Sequence, residues 1–404
     1  MLFPPSEHAS TLALRLSAFM AEHIYPNERL FQQQVGEGDR WKPVPLIETL
    51  KRTARAEGLW NLFMPPSHGA VPVDDSFKFD GPGLSNLQYA FCAEEMGRIM
   101  WSSEVFNCSA PDTGNMEVFH RYGTRAQKER WLGPLMRGEI RSAFLMTEPA
   151  VASSDATNIE TSMVRDGDHY VINGQKIWQT GAGAKNNYIN VYAKTDPKAH
   201  YRAGMSLLLV DGNSPGLEIR KLDMLGRRAV GTYELIFNDV RVPANHLVGA
   251  ENKGWDCVLS GLQSERVFAA ACDCGSARGV FELALQYASE RKQFGRAIGT
   301  FQAVAHMLAD MQTEIEAAWA LTLRAASLVA AGKDALREIT MAKLFASETY
   351  VKAANTGMQI FGGFGYSMEF DMQRHYRDAR AATIAAGTSQ IQRNLLAGLM
   401  GLKV

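Results

Sequence analysis

An α+β protein in three consecutive parts is what the sequence predicts: a helical region, a compact antiparallel β unit, and a helical bundle that closes the chain. Apolar residues recur at helical spacing from Leu12 to about Arg141, the period shifts to strand-like alternation near Ile140, and helical spacing returns from about Gly254. A chain of 404 residues, 46% of them hydrophobic, can bury a core large enough for two or three packed units. The expected parts are 1–140, 141–250 and 251–404, the last resembling a four-helix bundle.

The elements follow in order. Leu12, Leu16 and Phe19, then Leu46 and Leu50, then Leu84, Leu87 and Phe91 mark apolar stripes on successive helices. Pro and Gly cluster between Met64 and Gly83, which predicts a loop between helices. In DGDHYVINGQK, from Asp166 to Lys176, short alternating segments flank an expected Asn173-Gly174 turn, and Ser206 to Val210 and Leu235 to Val242 are further strands. Val267, Ala271 and Cys274, then Met307, Met311 and Ile315, then Leu336, Ile339 and Lys343 set out the closing helices.

Composition narrows the function. A formal net charge of -1 and the lack of any Lys/Arg-rich run leave no electrostatic footprint for nucleic acid. No apolar run reaches the roughly 20 residues of a bilayer span, and MLFPPSEHAS lacks the basic-then-apolar order of a signal peptide. Five cysteines, an odd number, argue against a disulfide framework, and Cys272 with Cys274 lack a second Cys/His pair at zinc spacing, so no metal site is expected. The expected compartment is the cytoplasm, or a mitochondrial matrix in a eukaryote. A Walker A loop, a GxSxG elbow, HExxH and a strand-bound GxGxxG are all missing. Lone histidines such as His306 receive no role.

Four separated segments carry chemistry. Phe144-Leu145-Met146-Thr147-Glu148-Pro149, followed by Ser153-Ser154-Asp155, offers small residues and hydroxyls that let a backbone approach a planar ligand and donate to phosphate oxygens. Ile172 to Lys176 leads into Trp178-Gln179-Thr180, an indole beside a hydroxyl. Glu290-Arg291-Lys292-Gln293-Phe294-Gly295, with Gln302 after it, carries an arginine whose planar fork suits phosphate. Gln359-Ile360-Phe361-Gly362-Gly363-Phe364-Gly365 and Gly387-Thr388-Ser389-Gln390-Ile391-Gln392-Arg393 supply glycines for close backbone approach.

Each segment alone reads as a turn, a core strand or a helix end. In this order and spacing, over nearly the whole chain, they resemble the acyl-CoA dehydrogenase family. The resemblance implies FAD, lined by Phe144, Met146, Thr147, Ser153, Ser154, Trp178 and Thr180. It places Arg291, Phe294 and Gln302, with Gln359, Gly362 and Gly363, against the diphosphate and adenosine of a cofactor shared across a subunit interface. Thr388 and Gln390 complete the cofactor set. The run from Glu104 to Glu117, EVFNCSAPDTGNME, together with Ser153-Ser154, resembles a subgroup that includes animal members ten and eleven and bacterial counterparts.

The catalytic carboxylate is not where most family members keep it. The position before Gly387-Thr388 is Ala386, which cannot accept a proton. A minority branch, including isovaleryl-CoA and long-chain acyl-CoA dehydrogenases, carries its glutamate on an earlier helix before an arginine. Glu265-Arg266 stands there, reached from Arg291 without a gap, and Glu265 is the expected base. By the same resemblance, Arg266, Ala386 and Gly387 face the thioester, with the Ala386 amide one donor to its carbonyl oxygen. Gln263 replaces an Asp found in several relatives two residues before the base, so contacts to the nucleotide of coenzyme A differ there.

The implied reaction is α,β-desaturation of an acyl-CoA to a trans-2-enoyl-CoA, with electrons passed to an electron-transferring flavoprotein, by a homotetramer or homodimer. An alternative keeps fold and FAD but changes the chemistry to nitroalkane oxidation, desulfination or monooxygenation. A flavin-holding protein without turnover is a third reading, opposed by Glu265.

Overall fold

The computed structural model describes residues 4–36, 44–64, 72–78, 81–184, 186–228 and 231–402. Much of the expected loop between Met64 and Gly83 lies outside them.

The helices Glu7–Phe19, Pro45–Ala56, Asn86–Gly97 and Asp112–Tyr122 begin the chain. Ser6 caps the first by accepting from the Ala9 amide, and Ser85 with Gln88 forms a capping box on the third. Leu12, Leu16 and Phe19 are buried, as their spacing predicts.

These helices do not form a core of their own. Asn86–Gly97 and Asp112–Tyr122 pack on the 37-residue Gly254–Glu290 helix, Glu7–Phe19 packs on Asn86–Gly97, and all share one apolar cluster with the long helix and with Gln302–Ala330 and Leu336–Phe361. The crossing with Asn86–Gly97 is close: a Cβ on Gly275 would lie 1.8 Å from the Glu94 carbonyl oxygen, and one on Gly97 2.2 Å from that of Cys272. Burial of one helix against both ends of the chain fixes the outer regions as a single body. The shorter helices Met372–Ala382 and Ser389–Leu399 close the bundle.

Between them lies an eight-stranded sheet in the order Leu217–Leu222, Thr232–Pro243, His169–Thr180, Ser162–Asp166, Asn187–Lys194, Met205–Asp211, Leu247–Val248, with Arg141–Leu145 beside Asn187–Lys194. The strands expected at 206–210 and 235–242 lie within two of these. Two details differ from the sequence reading. Arg141–Leu145 pairs parallel to Asn187–Lys194, because the hairpin between them supplies a connection long enough for a crossover. The hairpin turn sits at Gly167-Asp168, not at Asn173-Gly174. Asn173 is held on the neighbouring strand by donating to the Asp239 carboxylate at 2.9 Å and accepting from its amide at 2.8 Å, and Gly174 follows a bulge within one continuous strand.

All five cysteines are free thiols. Among the described residues no helix is long and apolar enough to cross a membrane, and no cluster of His, Cys, Asp or Glu could hold a metal.

Candidate active site

The loop after Arg141–Leu145 is built on a buried ion pair. The Lys176 ammonium, fully enclosed, donates to the Glu148 carboxylate and to the Met146 carbonyl, both at 2.9 Å. Glu148 also accepts from the amides of Glu160 at 2.6 Å and Thr161 at 3.0 Å. Burial pulls Lys176 down to about 8, opposed by Glu148. Burial works against the Glu148 carboxylate too, but Lys176 and the amide donors hold its pKa below the ordinary value. The Thr147 carbonyl accepts from the Ile177 amide at 2.9 Å and from Gln179 at 3.1 Å, so loop and strand are stitched together.

That stitching presents Trp178. The register against Thr232–Pro243 slips between Lys176 and Gln179, and in the slip Trp178 takes a left-handed φ of 66°. Lys176 and Gln179 point inward while the indole stands 55% exposed with Thr180 also outward. Ser153 and Ser154 are exposed nearby in chain order, and the Ser153 hydroxyl meets that of Thr147. Phe144 packs on Tyr192 at 4.9 Å, and Met146 is buried, so its side chain offers little to a ligand. An uncovered indole beside outward hydroxyls fits a planar, polar-edged group.

Glu265 lies where the Gly254–Glu290 and Asp112–Tyr122 helices meet. Its carboxylate rests on the backbone of Gly114 and accepts from that amide. Burial lifts Glu265 to about 7, opposed by the Gly114 amide and by Arg266. One turn further on, Glu117 meets the Ser264 hydroxyl and is pushed up to about 8 by burial, with Glu265 adding to the shift. Asp112 anchors the helix start, accepting from the Ser142 amide at 2.8 Å, its hydroxyl at 2.6 Å and Arg141 at 2.6 Å.

Arg266, the next residue, reaches the other side of the site. It donates to the Ala386 carbonyl at 3.0 Å. Gln392 donates to the same carbonyl at 3.3 Å and to that of Gly387 at 3.2 Å, and the buried Lys343 ammonium donates to Gly387 at 2.7 Å. Thr388 caps the Ser389–Leu399 helix by accepting from the Ile391 amide, and Gln390 is exposed in its first turn. Ala386 takes a left-handed φ of 54°, and its own amide finds no acceptor among the described residues. A Cβ at Gly387 would come 2.7 Å from Gln392 and 3.2 Å from Arg266, so the loop needs glycine there. A raised carboxyl and an unclaimed amide, joined through consecutive residues 265 and 266, suit proton removal next to a carbonyl.

A second group gathers at the far end of the bundle. Arg291 follows the long helix and sets its guanidinium over Phe364 at 5.3 Å, which brings it to the Gly362-Gly363 turn. Phe294 is 94% exposed, and Gln302 and Gln359 are exposed as well. Among the described residues no hydrogen bond, ion pair or ring contact joins this group to Trp178 and Thr147. Sequence reasoning missed Gly114, Glu117, Lys343 and Gln392 as site residues, and Lys176 as the loop's anchor. Gly114 and Glu117 stood in the EVFNCSAPDTGNME run, but their partner is a helix far along the chain.

Comparison with known proteins decides the family. Three family models match in succession: acyl-CoA dehydrogenase, N-terminal domain over residues 6–139, middle domain over 143–240 and C-terminal domain over 252–400. The chain belongs to the acyl-CoA dehydrogenase family. The chicken (Gallus gallus) acyl-CoA dehydrogenase family member 11 is 37% identical over 98% of this chain and 51% of its own length. The chain thus spans about half the length of the family member 11 relatives it matches. The crystal structure of acyl-CoA dehydrogenase from Geobacillus kaustophilus has a TM-score of 0.84 at 31% identity, covering 98% of both chains. The structure of PigA with FAD and proline has a TM-score of 0.85 at 27% identity, covering both chains in full. The family's cofactor is FAD, and its fold is the helical, β-sheet, helical arrangement described above.

Proposed function

We propose that the chain desaturates an acyl-CoA thioester to the trans-2-enoyl-CoA. The observation that carries this reading is the pairing of a half-buried, proton-avid Glu265 with the free Ala386 amide. Glu265 takes the α-proton, the C–H electrons move into the thioester as an enolate, and the Ala386 amide donates to the carbonyl oxygen where charge develops. Arg266, Lys343 and Gln392 hold the loop in place by its carbonyls. Bound FAD supplies the acceptor for the β-hydrogen as hydride. Trp178, Thr180, Thr147, Ser153 and Ser154 would flank its ring and phosphates, with Thr388 and Gln390 alongside. Electrons then leave to an electron-transferring flavoprotein.

By the family resemblance, the Arg291 group completes the cofactor site of a second copy, in a homodimer or homotetramer. Arg291→Ala is expected to lower FAD retention and weaken assembly together, measured as flavin content per chain and by size-exclusion chromatography. Unchanged flavin content would leave Arg291 as a helix end only.

Glu265 acts as a base only when ionised. With its pKa lifted to about 7, kcat/KM is expected to fall roughly tenfold per pH unit below that value and to level off above it. A limb near the ordinary glutamate value would contradict the assignment. The function itself is tested by anaerobic mixing with straight, branched and cyclic acyl-CoAs. Bleaching of the flavin absorbance with matching formation of enoyl-CoA is expected for at least one of them. No bleaching with any would favour other chemistry on this fold, to which Ala386 leaves room.

A further inference from the structure

The Glu265 carboxylate lies against the Gly114 backbone of the Asp112–Tyr122 helix. We propose that Gly114 is the positioning residue of the base: its bare backbone is the seat of the Glu265 carboxylate, and a side chain at 114 excludes the carboxylate from that place. The proposal rests on reading Glu265 as the base.

Three atoms of one side chain fill the direction in which a Cβ would point from Gly114. They are Glu265 Oε1 at 2.4 Å, Cδ at 2.6 Å and Cγ at 3.0 Å. Glycine inside a helix is a destabilising choice relative to alanine, and Gly114 is not among the residues with positive φ. Conformational freedom therefore does not account for it, whereas room for a carboxylate does.

The seat cannot retreat. Two residues earlier Asp112 is tied to Ser142 and Arg141, and Asn115 donates to the Ser142 hydroxyl at 2.9 Å. On the facing helix Gly261 lies against the same backbone: a Cβ there would stand in van der Waals contact with the Gly114 carbonyl oxygen, at 3.5 Å. The helix start is held by the sheet on one side and the long helix on the other. A methyl at 114 therefore meets the flexible end of Glu265, and that end is what moves.

The displaced carboxylate also loses the Gly114 amide hydrogen bond, which favours its ionised form. The charged and titratable groups around it are Arg266 on its own helix, Glu117 and Asp112 on the facing helix and Tyr192 from the sheet. With those unchanged, the ionisation of Glu265 moves to higher pH.

The test uses the flavin-loaded enzyme and a 3-thiaacyl-CoA, whose α-hydrogens can exchange but whose β-position cannot be desaturated. Gly114→Ala is expected to keep flavin and thioester binding, to slow α-hydrogen exchange into deuterium oxide by about a hundredfold, and to move the pH limb of exchange upward. Gly114→Ala/Glu265→Asp, one methylene shorter at the base, is expected to recover at least about tenfold over Gly114→Ala. Exchange unchanged in Gly114→Ala overturns the seat, as does a double variant no faster than the single. If Gly114→Ala fails to retain flavin, recovery of flavin by the double variant supports the seat and failure to recover overturns it. Glu265→Gln separates this from the reading beneath it. Exchange that survives Glu265→Gln overturns the base itself; exchange lost there but intact in Gly114→Ala overturns the seat alone.

Discussion

Glu265→Gln is expected to keep FAD and acyl-CoA binding while slowing anaerobic flavin bleaching by at least about a hundredfold, the usual contribution of a positioned general base. Glutamine preserves the shape that packs against Gly114 but cannot accept a proton at neutral pH. The oxyanion side is untouched, because the Ala386-Gly387 carbonyls stay held by Arg266, Gln392 and Lys343. Adding Ala386→Glu should restore part of the rate, since the family resemblance implies a carboxylate at that loop position in most members. Rapid-mixing spectroscopy with the best thioester measures both variants. Parent-like bleaching in Glu265→Gln would remove it as the base and favour different chemistry on this fold.

Lys176→Met is expected to destabilise the protein by about 3–5 kcal/mol, the range for removing one partner of a buried ion pair. Methionine fills much of the same volume but leaves the Glu148 carboxylate, 5% exposed, without its counter-ion and with neutral donors from Glu160 and Thr161 alone. The sign with pH follows from Glu148. In the parent its pKa is depressed, so its contribution is present above the ordinary carboxylate range and lost as pH falls through the folded value. In the variant the unpaired carboxylate protonates readily, so the difference between the two proteins should shrink in acid. Lys176→Met/Glu148→Gln should recover much of the loss, because no charge is then stranded. Denaturant unfolding at pH 7 and pH 5 measures this, and a loss below about 1 kcal/mol would show that the pair is not what holds the Thr147 loop.

The architecture was legible because period is a local property. Leu12, Leu16 and Phe19 are three and four residues apart, and the spacing alone sends them to one side of a helix. Asn173-Gly174 was misplaced for the opposite reason. Its dipeptide suits a two-residue turn, but pairing of Asn173 with Asp239, 66 residues away, keeps it within a strand. The Trp178 motif could be read, yet the bulge that turns its indole outward comes from a register slip between two strands. Glu265 is read as the base through the gap at Ala386 and a family resemblance, not through any local signal. Lys343 looked like one more residue on a helix face, because the carbonyl it holds lies 44 residues further on. Gly114 and Glu117 became site residues only when two helices crossed.

The most direct measurement is α-hydrogen exchange of a bound 3-thiaacyl-CoA in deuterium oxide, followed by proton NMR with the flavin-loaded parent and with Glu265→Gln at matched occupancy. Rapid exchange in the parent, rising through pH 7 and lost in the variant, is the result predicted for a half-buried, desolvated carboxylate working beside an intact Ala386 loop. Exchange of equal rate and pH dependence in both proteins would contradict it.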